Sequence, residues 1–168
     1  MSVPEQSHLS EPSRRTVMKG AAWSVPIIAA AVATPLAAAS VIDAGAFALR
    51  GSCGILDLLG PGFTLEAGPT TPLPVGTTVT IIGSGIASIG VFSVSGGTAT
   101  VAVLSSTSRQ VTLTTPLPAG ATIALRTTLS ITVAFQLNAV VTLPSGYSGS
   151  GAKTAANVSS TLLLCSAR

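Results

Sequence analysis

The sequence has 168 residues, of which 47% are hydrophobic and 8% charged, with a formal net charge of +3 at pH 7. That length fits a single domain, and so large an apolar excess demands either a membrane segment or a protected core. The bases are too few and too scattered for the clustered basic face that holds nucleic acid, so nucleic acid is excluded as a partner.

Part of the apolar excess lies near the start. Ser13, Arg14, Arg15, Thr16, Val17, Met18 and Lys19 run straight into an Ala-rich apolar stretch over 20–36. This is the layout of an export signal: a positive n-region, a modest h-region, and small residues at Ala37 and Ala39 that form an A-x-A cleavage site ahead of Ser40. The segment resembles the twin-arginine (Tat) consensus S/T-R-R-x-F-L-K. Ser13, Arg14, Arg15 and Lys19 fit that pattern, while Val17 and Met18 replace the usual Phe and Leu. The resemblance implies three things: delivery to the Tat translocase, passage in the folded state, and removal of residues 1–39 by signal peptidase. The product would be a secreted or cell-envelope domain over 40–168. An uncleaved anchor is the alternative, but 25–41 contains Pro26, Pro35 and many alanines and falls short of the roughly 20 strongly apolar residues of a span.

Beyond the leader the acids are Asp43, Asp57 and Glu66, and the bases are Arg50, Arg109, Arg126, Lys153 and Arg168. Both cysteines, Cys53 and Cys165, also lie there, one near each end. In a chain bound for an oxidising compartment a single disulfide is expected, with free thiols or a metal pair as the alternative.

Strand patterns then dominate, because Val, Ile, Thr and Leu recur with period two between Gly, Pro and Ser clusters. Short strands are expected at 47–53, 63–67, 77–82, 89–94, 98–104, 109–114, 121–126 and 158–165. The apolar run 55–59 fits either a helical turn or a loop under the core. Ser95, Gly96 and Gly97 have the composition of a tight hairpin. The clearest alternation covers 129–143, where Leu129, Ile131, Val133, Phe135, Leu137, Ala139, Val141 and Leu143 are apolar. As one strand this would reach about 50 Å, so a bulge or bend is expected to divide it.

One internal echo stands out. Thr71-Pro72-Leu73-Pro74-Val75-Gly76 recurs as Thr115-Pro116-Leu117-Pro118-Ala119-Gly120, each time ahead of a strand. Proline ends a strand by fixing φ and removing a donor, and glycine lets the chain turn back. The weak match of the flanks favours common turn chemistry over a duplicated half. Together these elements predict an all-β domain, an Ig-like antiparallel β-sandwich of about 7 to 9 strands, with a closed β-barrel as the alternative. The leader, the Pro-Leu-Pro-x-Gly corners and the terminal cysteine pair resemble uncharacterised secreted β proteins of actinobacteria. That likeness implies an extracellular β module and supplies no activity.

Little here carries chemistry. The only histidine, His8, lies in the leader, so the exported domain has no Ser-His-Asp or Cys-His set. A small carbohydrate-binding or hydrolytic domain would have to use Asp57 and Glu66, facing each other at about 5 to 10 Å. No D-x-D-x-D-G spacing offers a calcium loop, and neither a metal nor a cofactor is expected. Gly83, Ser84, Gly85 and Gly90 lack the following helix of a phosphate cradle and read as a β connection. Lys153 could join Asn138 or Asn157 in an isopeptide bond assisted by Glu66, but its Gly/Ser-rich surroundings favour a solvated lysine. Tyr147, in 144–151, is the one candidate exposed aromatic. The expectation is a non-enzymatic extracellular or cell-surface module with a structural or interaction role, meeting a protein partner or a second copy through loops or a sheet edge that few charges guard.

Overall fold

The structure is a computed structural model that describes residues 40–54, 60–162 and 164–168. The export signal (Ser13, Arg14, Arg15, Lys19), Ala37 and Ala39 of the cleavage site, and the 55–59 run with Asp57 lie outside the described residues. Ser40–Arg168 forms one compact unit.

The described residues contain strands and no helix. In chain order these are β1 (Ile42–Asp43), β2 (Ala48–Ser52), β3 (Gly62–Glu66), β4 (Thr78–Ser84), β5 (Phe92–Ser95) and β6 (Ala99–Ser105), followed by β7 (Ser108–Leu113), β8 (Thr122–Thr127), β9 (Phe135–Thr142), β10 (Tyr147–Ser148), β11 (Ala155–Thr161) and β12 (Leu164–Ala167). Two antiparallel sheets, β2-β3-β8-β5 and β12-β11-β9-β4-β7-β6, bury their facing sides in a common core, and β1 and β10 add a short parallel pair. Neither sheet closes on itself, so the molecule is a sandwich and not a barrel. Twelve strands form among the described residues, where about 7 to 9 were expected.

Period-two patterning produces that core directly. In β9, Phe135, Leu137, Ala139 and Val141 are buried while Gln136, Asn138, Val140 and Thr142 are exposed. Phe63, Leu65, Ile123 and Leu125 of the four-stranded sheet meet Ile81, Val111 and Leu137 of the other, all essentially inaccessible to water. Each such side chain is worth about 1.5 to 3 kcal/mol relative to exposure.

Where local pattern and structure disagree, the chain is changing sheets. The expected bend in 129–143 is present: β9 begins only at Phe135, because 128–134 crosses from the four-stranded to the six-stranded sheet. Ser130 Oγ accepts the Thr132 N–H at 3.2 Å within that bend. Likewise β5 starts at Phe92 and not at Ile89, whose buried side chain fills the crossing from β4. The Ser95-Gly96-Gly97 turn is not a hairpin, since β5 pairs with β8 and β6 with β7, so this turn also changes sheets. The strand expected over 158–165 is two strands, β11 and β12, paired antiparallel and reversing at Leu162, whose φ is +50°.

The repeated corners meet each other. Leu73 and Leu117 are both buried, and each donates its N–H to the other's carbonyl at 2.9 and 3.0 Å. Gly76 and Gly120 stand at φ +85° and +70°, the left-handed conformation that the turn requires. The likeness extends beyond the corners. β2 to β5 form a hairpin in one sheet, cross by a corner to β4, and return at β5; β6 to β9 do the same from the opposite sheet. Replacing each strand by its counterpart turns the order β2-β3-β8-β5 into β6-β7-β4-β9, which is the order observed. The halves are therefore related by an approximate twofold in topology, a likeness the weak sequence match of their flanks does not convey.

Apart from β12, which adds a strand outside β11, the spatial order β2-β3-β8-β5 against β11-β9-β4-β7-β6 is that of a variable-type immunoglobulin domain, A-B-E-D against G-F-C-C′-C″. The connectivity differs between β4 and β8. Here the chain visits the D position first and then C″ and C′, where an immunoglobulin domain runs C′, C″, D.

Candidate functional site

The residues singled out for chemistry are dispersed. Asp43 Oδ1 accepts backbone N–H groups from Gly45 and Ser150, both at 2.9 Å, which ties the β1 end to the loop after β10. Glu66 lies 3.7 Å from Arg50 Nε in an exposed ion pair, worth at most about 1 kcal/mol. Asp57, its supposed partner in a hydrolytic site, lies outside the described residues. Among the described residues no group of three or more metal-ligating side chains occurs.

Lys153 is exposed, while Asn157 Nδ2 donates to Asn138 Oδ1 at 2.8 Å and to Leu137 O at 3.2 Å. The two asparagines are thus engaged with each other across β9 and β11. Tyr147 is half-buried in β10, paired in register with Ile42, and so is less exposed than its loop composition implied. Gly83 and Ser84 end β4, and Gly85 and Gly90 bound the crossing to β5 with φ of +80° and +71°.

Of the two arginines on inner strands, the one on β7 serves the fold. Arg109 is buried, and its guanidinium donates to the carbonyls of Ser105, Ser106 (3.5 Å), Ser108 (2.9 Å) and Gly90 (3.0 Å). It closes the β6–β7 turn onto the β4–β5 crossing. Arg126, opposite Gly62 and Ser93 in register, has its pKa lowered by desolvation.

The two sides of the sandwich differ sharply. On one side β2 is covered: Leu49 donates to Lys153 O at 2.8 Å, Lys153 to Phe47 O at 2.9 Å, and Gly51 to Arg168 O at 3.3 Å. The approach is so close that a Cβ on Gly51 would collide with Asn157 O and stand 2.9 Å from Val158 Cγ2. The Cys53–Cys165 disulfide, with its Cα atoms 5.8 Å apart, ties the residue after β2 to β12 on this same side. The expected pairing is therefore formed, and it joins the two sheets.

On the other side β5 and β6 end their sheets with nothing beside them among the described residues. β6 reads Ala-Thr-Val-Ala-Val-Leu-Ser, with no charge and no proline. Its inward-facing side chains overhang the edge of the four-stranded sheet, so Val101 is 36% and Val103 70% exposed, and Leu104 on the other face 56%. Edge strands are usually protected by charge, proline or a bulge. The one such device here is an irregularity between Val103 and Ser105. The sequence pattern points to sheet edges in general but not to this strand. The available signal was an uncharged seven-residue strand segment, and it becomes specific only once the strand order is known.

Comparison with models of known protein families, with curated proteins and with solved structures finds no match to this chain.

Proposed function

We propose that this chain is an exported β-sandwich module of the cell envelope or medium, with a structural or protein-interaction role and no catalysis, acting through its open side. The observation that carries this reading is β6: an uncharged edge strand, unpaired on its outer flank among the described residues, opposite a side that is covered and cross-linked. Such an edge offers main-chain donors and acceptors for β-augmentation. Delivery by the Tat translocase and trimming by signal peptidase between Ala39 and Ser40 fit the leader, and the disulfide fits an oxidising destination. No helix among the described residues is long and apolar enough to cross a membrane.

Fractionation of producing cells tests both halves of the reading. The wild-type chain is expected outside the cytoplasm, in an assembly larger than its own mass under gentle extraction. Arg14→Lys with Arg15→Lys should retain it inside, and Val103→Lys should leave export intact while the extracted protein runs at its own mass. Export of the double lysine variant, or a large assembly indifferent to Val103→Lys, would contradict it.

A further inference from the structure

Which main-chain groups β6 offers follows from its pairing with β7. Thr114 donates its N–H to Thr98 O at 3.0 Å, so Thr98, and by alternation Thr100 and Ala102, point their backbone groups at β7. The other flank of β7 agrees: Leu113 donates to Thr77 O at 2.9 Å and accepts from Gly76 at 3.0 Å, turning toward β4 and away from β6. Ala99, Val101 and Val103 therefore present their N–H and C=O outward, along an edge that nothing in the described chain satisfies.

The molecule itself shows how such an edge is covered. β2 is the counterpart of β6 in the twofold relation of the halves, and its edge is bonded by Lys153 and Arg168, which flank β11 and β12. The second half has no such addition, so β6 is left as the uncovered equivalent of a covered edge.

We propose that a second copy of this chain occupies it: the β6 strands of two copies pair antiparallel about a twofold axis at Val101, joining their six-stranded sheets. This rests on the reading that β6 is the interaction surface, and adds the partner and the register. In that register Val101 exchanges hydrogen bonds with Val101 of the second copy, and Ala99 with its Val103. The irregularity beyond Val103 ends the ladder on each side, which places the centre at Val101. These residues share the inward-facing side, so the exposed valines of both copies cluster at the seam as β-branched cross-strand neighbours. Charge favours a copy over a charged segment. β6 carries no ionisable side chain, and the nearby Arg109 is committed to four backbone carbonyls, so two copies meet without repulsion and a charged segment finds no counter-ion.

Sedimentation of the purified full chain, disulfide intact, tests this together with cysteine cross-linking. The wild type should sediment as a concentration-dependent dimer. Val101→Cys should form an interchain disulfide under mild oxidation, because hydrogen-bonded antiparallel partners lie about 5.5 Å apart at Cα, within disulfide reach. Val140→Cys, exposed on the outward face of β9, should not. Val103→Lys should weaken the dimer about tenfold or more while leaving the circular dichroism spectrum unchanged. A chain that remains monomeric at millimolar concentration, a dimer insensitive to Val103→Lys, or equal cross-linking at Val140→Cys would overturn the proposal. Monomeric purified protein combined with a Val103-dependent assembly in extracted material would sink the self-pairing alone and leave the edge reading standing.

Discussion

Asp43 ties the N-terminal strand to the far end of the domain with a single carboxylate oxygen. The Ser150 amide first, and the Gly45 amide second, hold its carboxyl below the usual value of 3.8. Because the folded pKa lies below the unfolded one, this stabilisation is fully present above about pH 4 and is lost as pH falls through the folded value. Asp43→Asn should therefore lower the melting temperature at neutral pH, and the gap to wild type should narrow in thermal melts as pH falls below 3.8 and through the lowered folded value. Leu162 is strained in the opposite sense, as a β-turn residue at φ +50° with its side chain in solvent. Leu162→Asn should raise stability by about 0.5 to 1 kcal/mol in urea titrations, since asparagine tolerates that conformation and no core contact is lost. Of these residue roles the sequence showed the cysteine pair, because a chain with two cysteines leaves one intrachain pairing. It did not show Asp43 or Arg109 at work, because both bind backbone groups, which have no sequence signature.

Element boundaries were legible wherever a strand keeps one face in the core along its length. β3, β4, β7 and β8 fall within a residue or two of their period-two patterns, and β9 follows its alternation from Phe135 onward. The failures share a cause. Alternation reports which face is buried, not which sheet the strand joins, so the crossings at 128–134 and at Ser95-Gly96-Gly97 looked like strand and hairpin. The 158–165 run failed because its reversal places leucine where glycine or asparagine is the usual choice. The corners invite the sharpest test at this scale. Leu73→Ala and Leu117→Ala should each cost about 2 to 5 kcal/mol by loss of a buried side chain. Since the two residues touch through their exchanged backbone bonds, the double variant in urea denaturation should depart from the sum of the singles.

At the scale of the molecule, the twofold relation of the halves makes the asymmetry informative. The segment after β9 adds β11 and β12, and the edge bonds of Lys153 and Arg168, to one side only, and the disulfide, across a separation of 112 residues, fixes that side. Closing so long a loop restricts the unfolded chain by an amount worth up to about 4 to 5 kcal/mol. The sandwich class was legible from strand count and spacing. The strand order was not, because pairing between residues far apart in sequence leaves no local trace, and with it went the identity of the open edge. Intact-mass measurement of protein collected from outside producing cells, without reductant, tests the central claim of an exported and cross-linked domain most directly. The expected species is the chain from Ser40 to Arg168, lighter by two hydrogens than its reduced form. Full-length chain confined to the cytoplasm, or external protein with both thiols free, would contradict it.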